Sequence, residues 1–404
     1  MVESLPLEGL KVIDLADEKG VFCTKLMADL GAEVVKVERP GGGDATRNIS
    51  PFLNDDPHPE KSLYFAYNNT NKRSVTLNLG MADGREIFKK LVERSDVVVE
   101  TYRPGYMASL SLDYPNLKKL NSGLVMTSIT GFGQTGPYRD FKSPGIISFA
   151  MGGLMYLSGE PDMPPLQVGG LQTYYVVSLF AAVAILVALY ARDTSGQGQH
   201  VDISMQECIA AILERTPLYV YNGYIPRRSG SRHHAAVPCS IYPCKDGYWS
   251  LCIGPYSVFW DRFIALVISD GIDVGELSDP EYESPTKRWA ELDNKIDPII
   301  RKWGMLHTKA EIFEIGQRNE IAVAPVSNAK DVVEDPHLNA LDFYQEVSHP
   351  LIGRAKYPGI PWRLPGGSLR VRHAPLIGQH NHEVYGELGL SKQDLIVLRE
   401  AGVI

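Results

Sequence analysis

Between Asp162 and Asp193 the chain carries no carboxylate. The polar side chains entering that stretch are Gln167, Gln172, Thr173, Tyr174, Tyr175 and Ser178. No acid nucleophile is therefore available where a glycine- and proline-rich loop (152–171) feeds the longest apolar run of the sequence. Other scarcities exclude whole classes. Cysteine is limited to five scattered residues, Cys23, Cys208, Cys239, Cys244 and Cys252. A disulfide framework is excluded, and free thiols in a reducing, cytoplasmic setting are expected. Cys239, Cys244 and Cys252 with His233 and His234 lack a second Cys-x-x-Cys arm, so no metal site is expected. A basic excess is also missing: the net charge is −8, with Lys and Arg spread along the chain, so no nucleic-acid partner is expected. No apolar run reaches the roughly 20 residues of a membrane span. The run 176–191 is shorter and holds Ser178, and it reads as a core helix buried on all sides. The first residues show neither a basic region nor an apolar core, so no secretory leader is expected. Finally, the turn 16–20 holds one glycine. That excludes the dinucleotide fingerprint and, with it, a nicotinamide or flavin cofactor.

What remains is an alternation of strand-length and helix-length segments. Residues 10–15 and 33–38 read as strands around a helix ending near Gly31, a β-α-β unit that predicts a parallel, helix-covered sheet. Further strands are predicted at 74–79, 96–100, 124–130 and 200–203, with a helix over 82–94. Glu38 ends the second strand as a ribose-binding acid would, and basic residues recur around the strand-flanking loops. Arg39, Lys72, Arg73 and Arg103 are therefore predicted to converge on one anionic ligand. The stretch 131–136 matches G-x-G-x-x-G, but Pro137 and a polar stretch follow it. It reads as a glycine loop lying close against a ligand, with no helix for a pyrophosphate. Residues 225–325 read as a separate, smaller α+β domain, with 245–247 as the turn of a β-hairpin over 240–254. Residues 326–404 return through short strands with Pro/Gly turns. The chain closes in a helix over 391–401 with Ser391 as its N-cap.

Taken in order, certain segments carry a family likeness across nearly the whole chain. They are MADLGAEVVKVERPGGGD (27–44), NKRSVTL (71–77), YRPG (102–105), SITGFGQTGPY (128–138), GEPDMPP (159–165) and GQGQ (196–199). VAPV (323–326), EDPHL (334–338), GQH (378–380) and AGVI (401–404) complete the series. The sequence resembles the class III CoA-transferases, the formyl-CoA/carnitine CoA-transferase type. The resemblance implies an α/β fold with a Rossmann-like large domain and a small inserted α+β domain. It also implies a ring-shaped chain interlocked with a second chain. The implied boundaries are a large domain over 1–200, a linker over 201–224, the small domain over 225–325 and a return over 326–404. CoA or acyl-CoA is the implied substrate, with no permanently held cofactor. The implied contacts are Arg39, Leu77, Thr101, Tyr102, Arg103 and Lys142. An aspartate carries the acyl group as a mixed anhydride in this family, so CoA transfer needs no ATP.

The departures from the family cluster at that chemistry. The aspartate position falls on Tyr174, a nearby acid on Gly145 and a diphosphate-binding arginine on Ser109. The family's first turn reads 19–21 here, and its small-domain motif reads 238–240. A phenol, with a pKa near 10, is a poor acyl carrier. The sequence is thus similar in character to the non-catalytic subunit of heteromeric succinyl-CoA:benzylsuccinate CoA-transferases of anaerobic aromatic breakdown. That likeness implies a cytoplasmic enzyme moving CoA from succinyl-CoA to an aryl-substituted succinate, with a homologous partner subunit bringing the aspartate. Two other readings stay open. One is an acyl-CoA racemase or epimerase using His233 or His234 with an acid. The other is a non-enzymatic CoA-thioester-binding scaffold.

Overall fold

The computed structural model describes residues 5–233, 236–363 and 371–404. The chain divides into two compact units. The first contains Met1–Met155, Gln167–Asn222 and His337–Ile404; the second contains Tyr156–Leu166 and Gly223–Pro336.

The first unit is built on six strands: β1 (Lys11–Leu15), β2 (Glu33–Glu38), β3 (Arg73–Thr76), β4 (Val97–Glu100), β5 (Val125–Thr130) and β6 (His200–Ser204). All pair in parallel in the order β3-β2-β1-β4-β5-β6. Parallel strands need covering on both faces, which explains their near-continuous Val and Ile content. Val12, Val34, Val97, Val99, Val125 and Ile129 meet helices α1 (Val21–Asp29) and α4 (Gln172–Ser195). Ile13, Val35, Val37, Val75, Val98 and Met126 point the other way. They meet α2 (Ala82–Val92) and the chain's last residues, Val403 and Ile404. Two further helices of this unit, α3 (Gly145–Met151) and α5 (Met205–Ala211), follow β5 and β6.

Burial of α4 on all sides is corrected by the structure. Val177, Ala181, Ile185 and Ala188 are buried, but Leu179, Val183, Val187 and Tyr190 are exposed by 49, 61, 62 and 78%. The sheet covers only one flank of a helix that is apolar around its whole circumference. By length and composition this one helix, among the described residues, could also cross a membrane. The stretch 201–224, read as a linker, instead supplies most of β6 and the whole of α5. Its Val201–Ile203 backbone pairs with β5.

The second unit holds a three-stranded antiparallel sheet of β7 (Cys239–Cys244), β8 (Gly247–Cys252) and, after its helices, β9 (Ala322–Pro325). Helices α6 (Ser257–Ser269), α7 (Asp297–Gly304) and α8 (Lys309–Arg318) cover it, with Trp249, Trp260, Phe263 and Trp303 buried at the centre.

The return to the first unit adds an antiparallel pair, β10 (Tyr344–His349) and β11 (Gly353–Pro358), then α9 (Asn381–Glu387) and α10 (Lys392–Glu400). Ser391 caps α10 as expected: its Oγ accepts the Asp394 N–H at 3.2 Å, and Asp394 answers the Ser391 N–H at 2.7 Å. Asn381 Oδ1 accepts the Thr76 N–H at 2.8 Å, and Val403 O accepts the Asn78 N–H at 2.8 Å. The carboxyl-terminal segment is thereby fixed beside β3. His234 and the turn residues 365–367 lie outside the described residues.

Candidate functional site

In this strand order β1 and β4 are neighbours whose chain continues in opposite directions along the sheet. A crevice opens there, at the carboxyl ends of the strands, where ligands bind doubly wound sheets. The turn after β1 is tied to β4 by the Asp17 N–H, which donates to Thr101 Oγ1 at 2.9 Å. Gly20 is required by close packing: a Cβ there would lie 2.8 Å from Ile129 Cδ1 and 3.2 Å from Thr101 Cγ2. After β2 the chain forms a loop with Gly41 and Gly43 at φ +77° and +70°. A side chain at Gly43 would also strike Arg47, 2.7 Å from its Cδ.

These elements wall a cleft of about 1110 Å³. Arg39, Leu77, Thr101 and Tyr102 all line it, together with the glycine loop, Asn78, Tyr106 and Arg399. The tilted rings of Tyr102 and Tyr106 lie 4.7 Å apart. Arg103 and Lys142 are exposed and are not part of this lining. Ser109 is also outside it; its Oγ donates back to Tyr106 O at 2.7 Å. Arg399 was missed by sequence reading, since α10 shows only an amphipathic pattern that says nothing about which loop its last turn meets.

The predicted convergence of four cations is corrected. Lys72 is fully inside the fold. Its Nζ donates to Asp14 Oδ2 at 2.9 Å, Thr24 Oγ1 at 2.9 Å and Asn69 Oδ1 at 2.9 Å. Burial, only partly offset by Asp14, lowers its pKa to about 8. Arg73 pairs with Glu33, Glu383 and Glu387. Both residues stand at the amino end of β3, and a four-residue strand separates the two ends by about 13 Å. Glu38, placed as a ribose ligand would be, is spent internally. Arg47 Nε and Nη2 donate to its two oxygens at 2.6 and 2.8 Å. The loop 131–136 does not meet the cleft. Its Gln134 N–H donates to Asp202 Oδ2 at 2.9 Å, and Gly131 packs on Ser143.

On the other face of the sheet, Tyr174 occupies the first turn of α4 and is 8% exposed. Its hydroxyl accepts the Gly145 N–H at 2.9 Å, at the start of α3. Burial pushes the phenol above its ordinary pKa, so it stays protonated at neutral pH. A Cβ at position 145 would lie 3.1 and 3.2 Å from the Tyr174 ring. Two departures that looked independent in the sequence are therefore one packing event: the ring fills the space a side chain at 145 would need. Gly145→Ala is expected to cost about 1–3 kcal/mol through overpacking. In a Tyr174→Ala background the same change is expected to be neutral or stabilising. Urea unfolding of the four proteins in the cycle measures the coupling. A cost at 145 that is equal in both backgrounds would show the two sites to be independent.

Around Tyr174 lie Glu18, Tyr64 and Tyr175. Burial, then the Asp17 carboxylate, raises the Glu18 pKa. Glu100, the last residue of β4, is a second carboxyl held neutral more easily than usual. Burial raises it to about 7 against the opposing hydrogen bonds from Ser128 and the Tyr102 N–H, the latter at 2.7 Å. An unfolded glutamate releases its proton near pH 4.5. Between that pH and about 7 the native state binds more protons than the unfolded state. Stability is therefore expected to fall as pH rises through this window and to level off above it. Glu100→Gln removes that slope and should be about 1–3 kcal/mol more stable than the parent at pH 8, with little difference at pH 4. Urea midpoints at the two pH values test this.

Among the described residues no group of His, Cys, Asp and Glu could hold a metal ion. His233 belongs to the second unit.

The family model of CoA-transferase family III matches residues 7–381. The chain is 34% identical to the succinyl-CoA–D-citramalate CoA-transferase of Chloroflexus aurantiacus, over 99% of this chain and 98% of that one. It is 36% identical to the formyl-CoA:oxalate CoA-transferase of Streptomyces coelicolor, over 98% and 99%. It is 31% identical to the BbsE subunit of succinyl-CoA:(R)-benzylsuccinate CoA-transferase of Thauera aromatica, over 98% and 97%. A crystal structure of a CAIB/BAIF family protein from Brucella suis superposes with a TM-score of 0.85 at 29% identity, over 96% of this chain and all of that one.

Proposed function

The chain belongs to CoA-transferase family III, and from that membership we propose that it serves as a subunit whose acyl-carrying aspartate comes from a homologous partner. Family members named for their activity transfer CoA between acyl-CoAs and acids, so CoA thioesters are substrates here and no resident cofactor is required. The observation that carries the reading is Tyr174. At the position the family likeness assigns to the nucleophile stands a buried phenol whose oxygen already accepts the Gly145 N–H. An anhydride-forming carboxylate has been replaced by a group that stays protonated.

The outer flank of α4 supports a partner. Leu179, Val183, Val187 and Tyr190 present a continuous apolar stripe, and Ile146, Ile147 and Met151 of α3 are exposed as well. Apolar surface of that extent marks a protein interface. We read it as the surface that meets a second family III chain in an interlocked pair. The first unit, with Arg39, Leu77, Thr101 and Tyr102, is the CoA-binding half of this reading, with Arg103 and Lys142 as outlying contacts. A succinyl-CoA donor and an aryl-substituted succinate acceptor follow from the likeness to BbsE. The tyrosines at 64, 174 and 175 offer aromatic surface near the implied acyl position.

The test is to produce the chain alone and together with a family III homologue that carries aspartate at the position matching Tyr174. CoA transfer from succinyl-CoA is then assayed in both. The reading expects a stable complex and transfer only in the mixture. Full transfer by the lone chain, or no complex, would refute it.

A further inference from the structure

Two of the five cysteines meet across the small sheet of the second unit. Cys239 opens β7 and Cys252 closes β8, and the antiparallel register sets them directly opposite each other. The ladder fixes which kind of pair they form. The Ile253 N–H donates to Pro238 O at 2.9 Å, which makes 238 and 253 a hydrogen-bonded pair. The next pair, 239 and 252, is then the non-hydrogen-bonded kind, whose Cα atoms lie about 4.5 Å apart with the side chains close. A disulfide spans Cα atoms about 4.4–6.8 Å apart, so the backbone spacing already suits a bridge.

Both thiols stand on the outer face of the sheet. Tyr242, Trp249 and Leu251 alternate with them along the strands and are buried in the core beneath the helices. Ile241 and Tyr248, on the cysteines' own face, are exposed. On its other side Cys252 faces Ala322 of β9, whose methyl group leaves the thiol open. Cys252 is accordingly exposed, while Cys239 is half-buried. Burial, then the hydrogen bond and the charge of the adjacent Cys252 thiol, raises the Cys239 pKa to about 11. The remaining thiols, Cys23, Cys208 and Cys244, are buried. Cys239 also lies in the stretch 238–240, one of the departures from the family motifs, so that departure is what supplies the second thiol.

We propose that Cys239 and Cys252 are a modification site, closing to a cross-strand disulfide when the chain meets a small-molecule disulfide such as oxidised glutathione. The exposed Cys252 thiolate attacks one sulfur of the oxidant, and the first glutathione thiolate leaves. Cys239 then gives up its proton, and its sulfur attacks Cys252 Sγ in the mixed disulfide and expels the second glutathione. The two cysteines lose two electrons and two protons, and the oxidant gains both as two thiols. Exposed disulfides of this kind are the readily reduced ones, so the bond opens again under excess thiol.

The experiment exposes the full chain to oxidised glutathione, alkylates it in denaturant and maps its peptides by mass spectrometry. Oxidised wild type is expected to take up two alkyl groups fewer than the reduced chain and to yield one linked peptide pair joining 239 to 252. Dithiothreitol should restore the lost alkylation. Cys239→Ser is expected to trap the intermediate, with one glutathione on Cys252, while Cys252→Ser should show neither cross-link nor adduct at Cys239. Equal alkylation of oxidised and reduced wild type overturns the site, as does a cross-link joining any other pair or two chains. An adduct on Cys239 in Cys252→Ser, with none on Cys252 in Cys239→Ser, overturns the order of attack. Because the cross-link is read on wild type, the result does not depend on how either variant folds.

Discussion

Assayed without a partner, the chain is expected to transfer CoA at least about 10⁴-fold more slowly than when mixed with an aspartate-bearing homologue. That figure is the scale of loss when a covalent nucleophile is removed from an otherwise intact site. The physical basis is the state of the Tyr174 oxygen. It is held protonated by burial, it accepts the Gly145 N–H, and it lies in a turn with no carboxylate in the same helix until Asp193. Restoring the acid by Tyr174→Asp alone is expected to leave the lone chain inactive. The shorter side chain abandons the space beside Gly145 and leaves a cavity where the ring packed. Position 145 still lacks an acid, and Ser109 still lacks a guanidinium. Initial rates of succinyl-CoA consumption, for lone chain, variant and mixture at equal concentration, measure the difference. A lone chain within tenfold of the mixture would mean that another group carries the acyl residue. Glu18, the acid that acts most strongly on the Tyr174 phenol, would be the first to replace.

Removing Arg47 is expected to destabilise the first unit by about 3–5 kcal/mol, the cost of stranding a buried carboxylate. Arg47 is fully buried. It donates to both oxygens of Glu38, to Glu60 Oε2 at 2.6 Å and to Pro375 O at 2.9 Å, and it lies 3.7 Å from the centre of the Phe65 ring. One side chain thus fastens β2, the segment after the glycine loop and the carboxyl-terminal return. In Arg47→Met, Glu38 would stay buried without its cation, while the lost Pro375 contact loosens the return. Urea unfolding followed by far-UV circular dichroism measures the loss. The double variant Arg47→Met/Glu38→Gln is expected to recover part of it, because the amide needs no counter-charge. A cost below 1 kcal/mol would show that the Arg47 network contributes no net stability. Since Gly43 packs on Arg47 Cδ, the glycine loop is expected to loosen too, and CoA affinity should fall in parallel.

The strands were legible because a parallel sheet covered on both faces leaves unmistakable apolar runs. Glu33–Glu38 is found at the predicted bounds, and the other predicted strands of the sheet agree to within about three residues. The Ser391 cap was legible because capping is a local exchange between a side chain and the next turn. Lys72 and Arg73 were misread for a different reason. The sequence places them next to a strand without saying at which end of the sheet the ligand lies, and they enter β3 at its amino end. The outward stripe of α4 was also hidden, because a helix apolar all round looks the same whether the sheet or another chain covers its second flank.

From the sequence alone came the family likeness, the parallel sheet and the absence of a carboxylate between Asp162 and Asp193. These are properties of residue order and local chemistry. Only the tertiary structure joined Tyr174 to Gly145, spent Glu38 on Arg47, and placed Arg399 in the lining of the same cleft as the glycine loop. Each of these depends on how separate segments are brought together, and residue spacing carries no record of which surfaces the folded chain presses together.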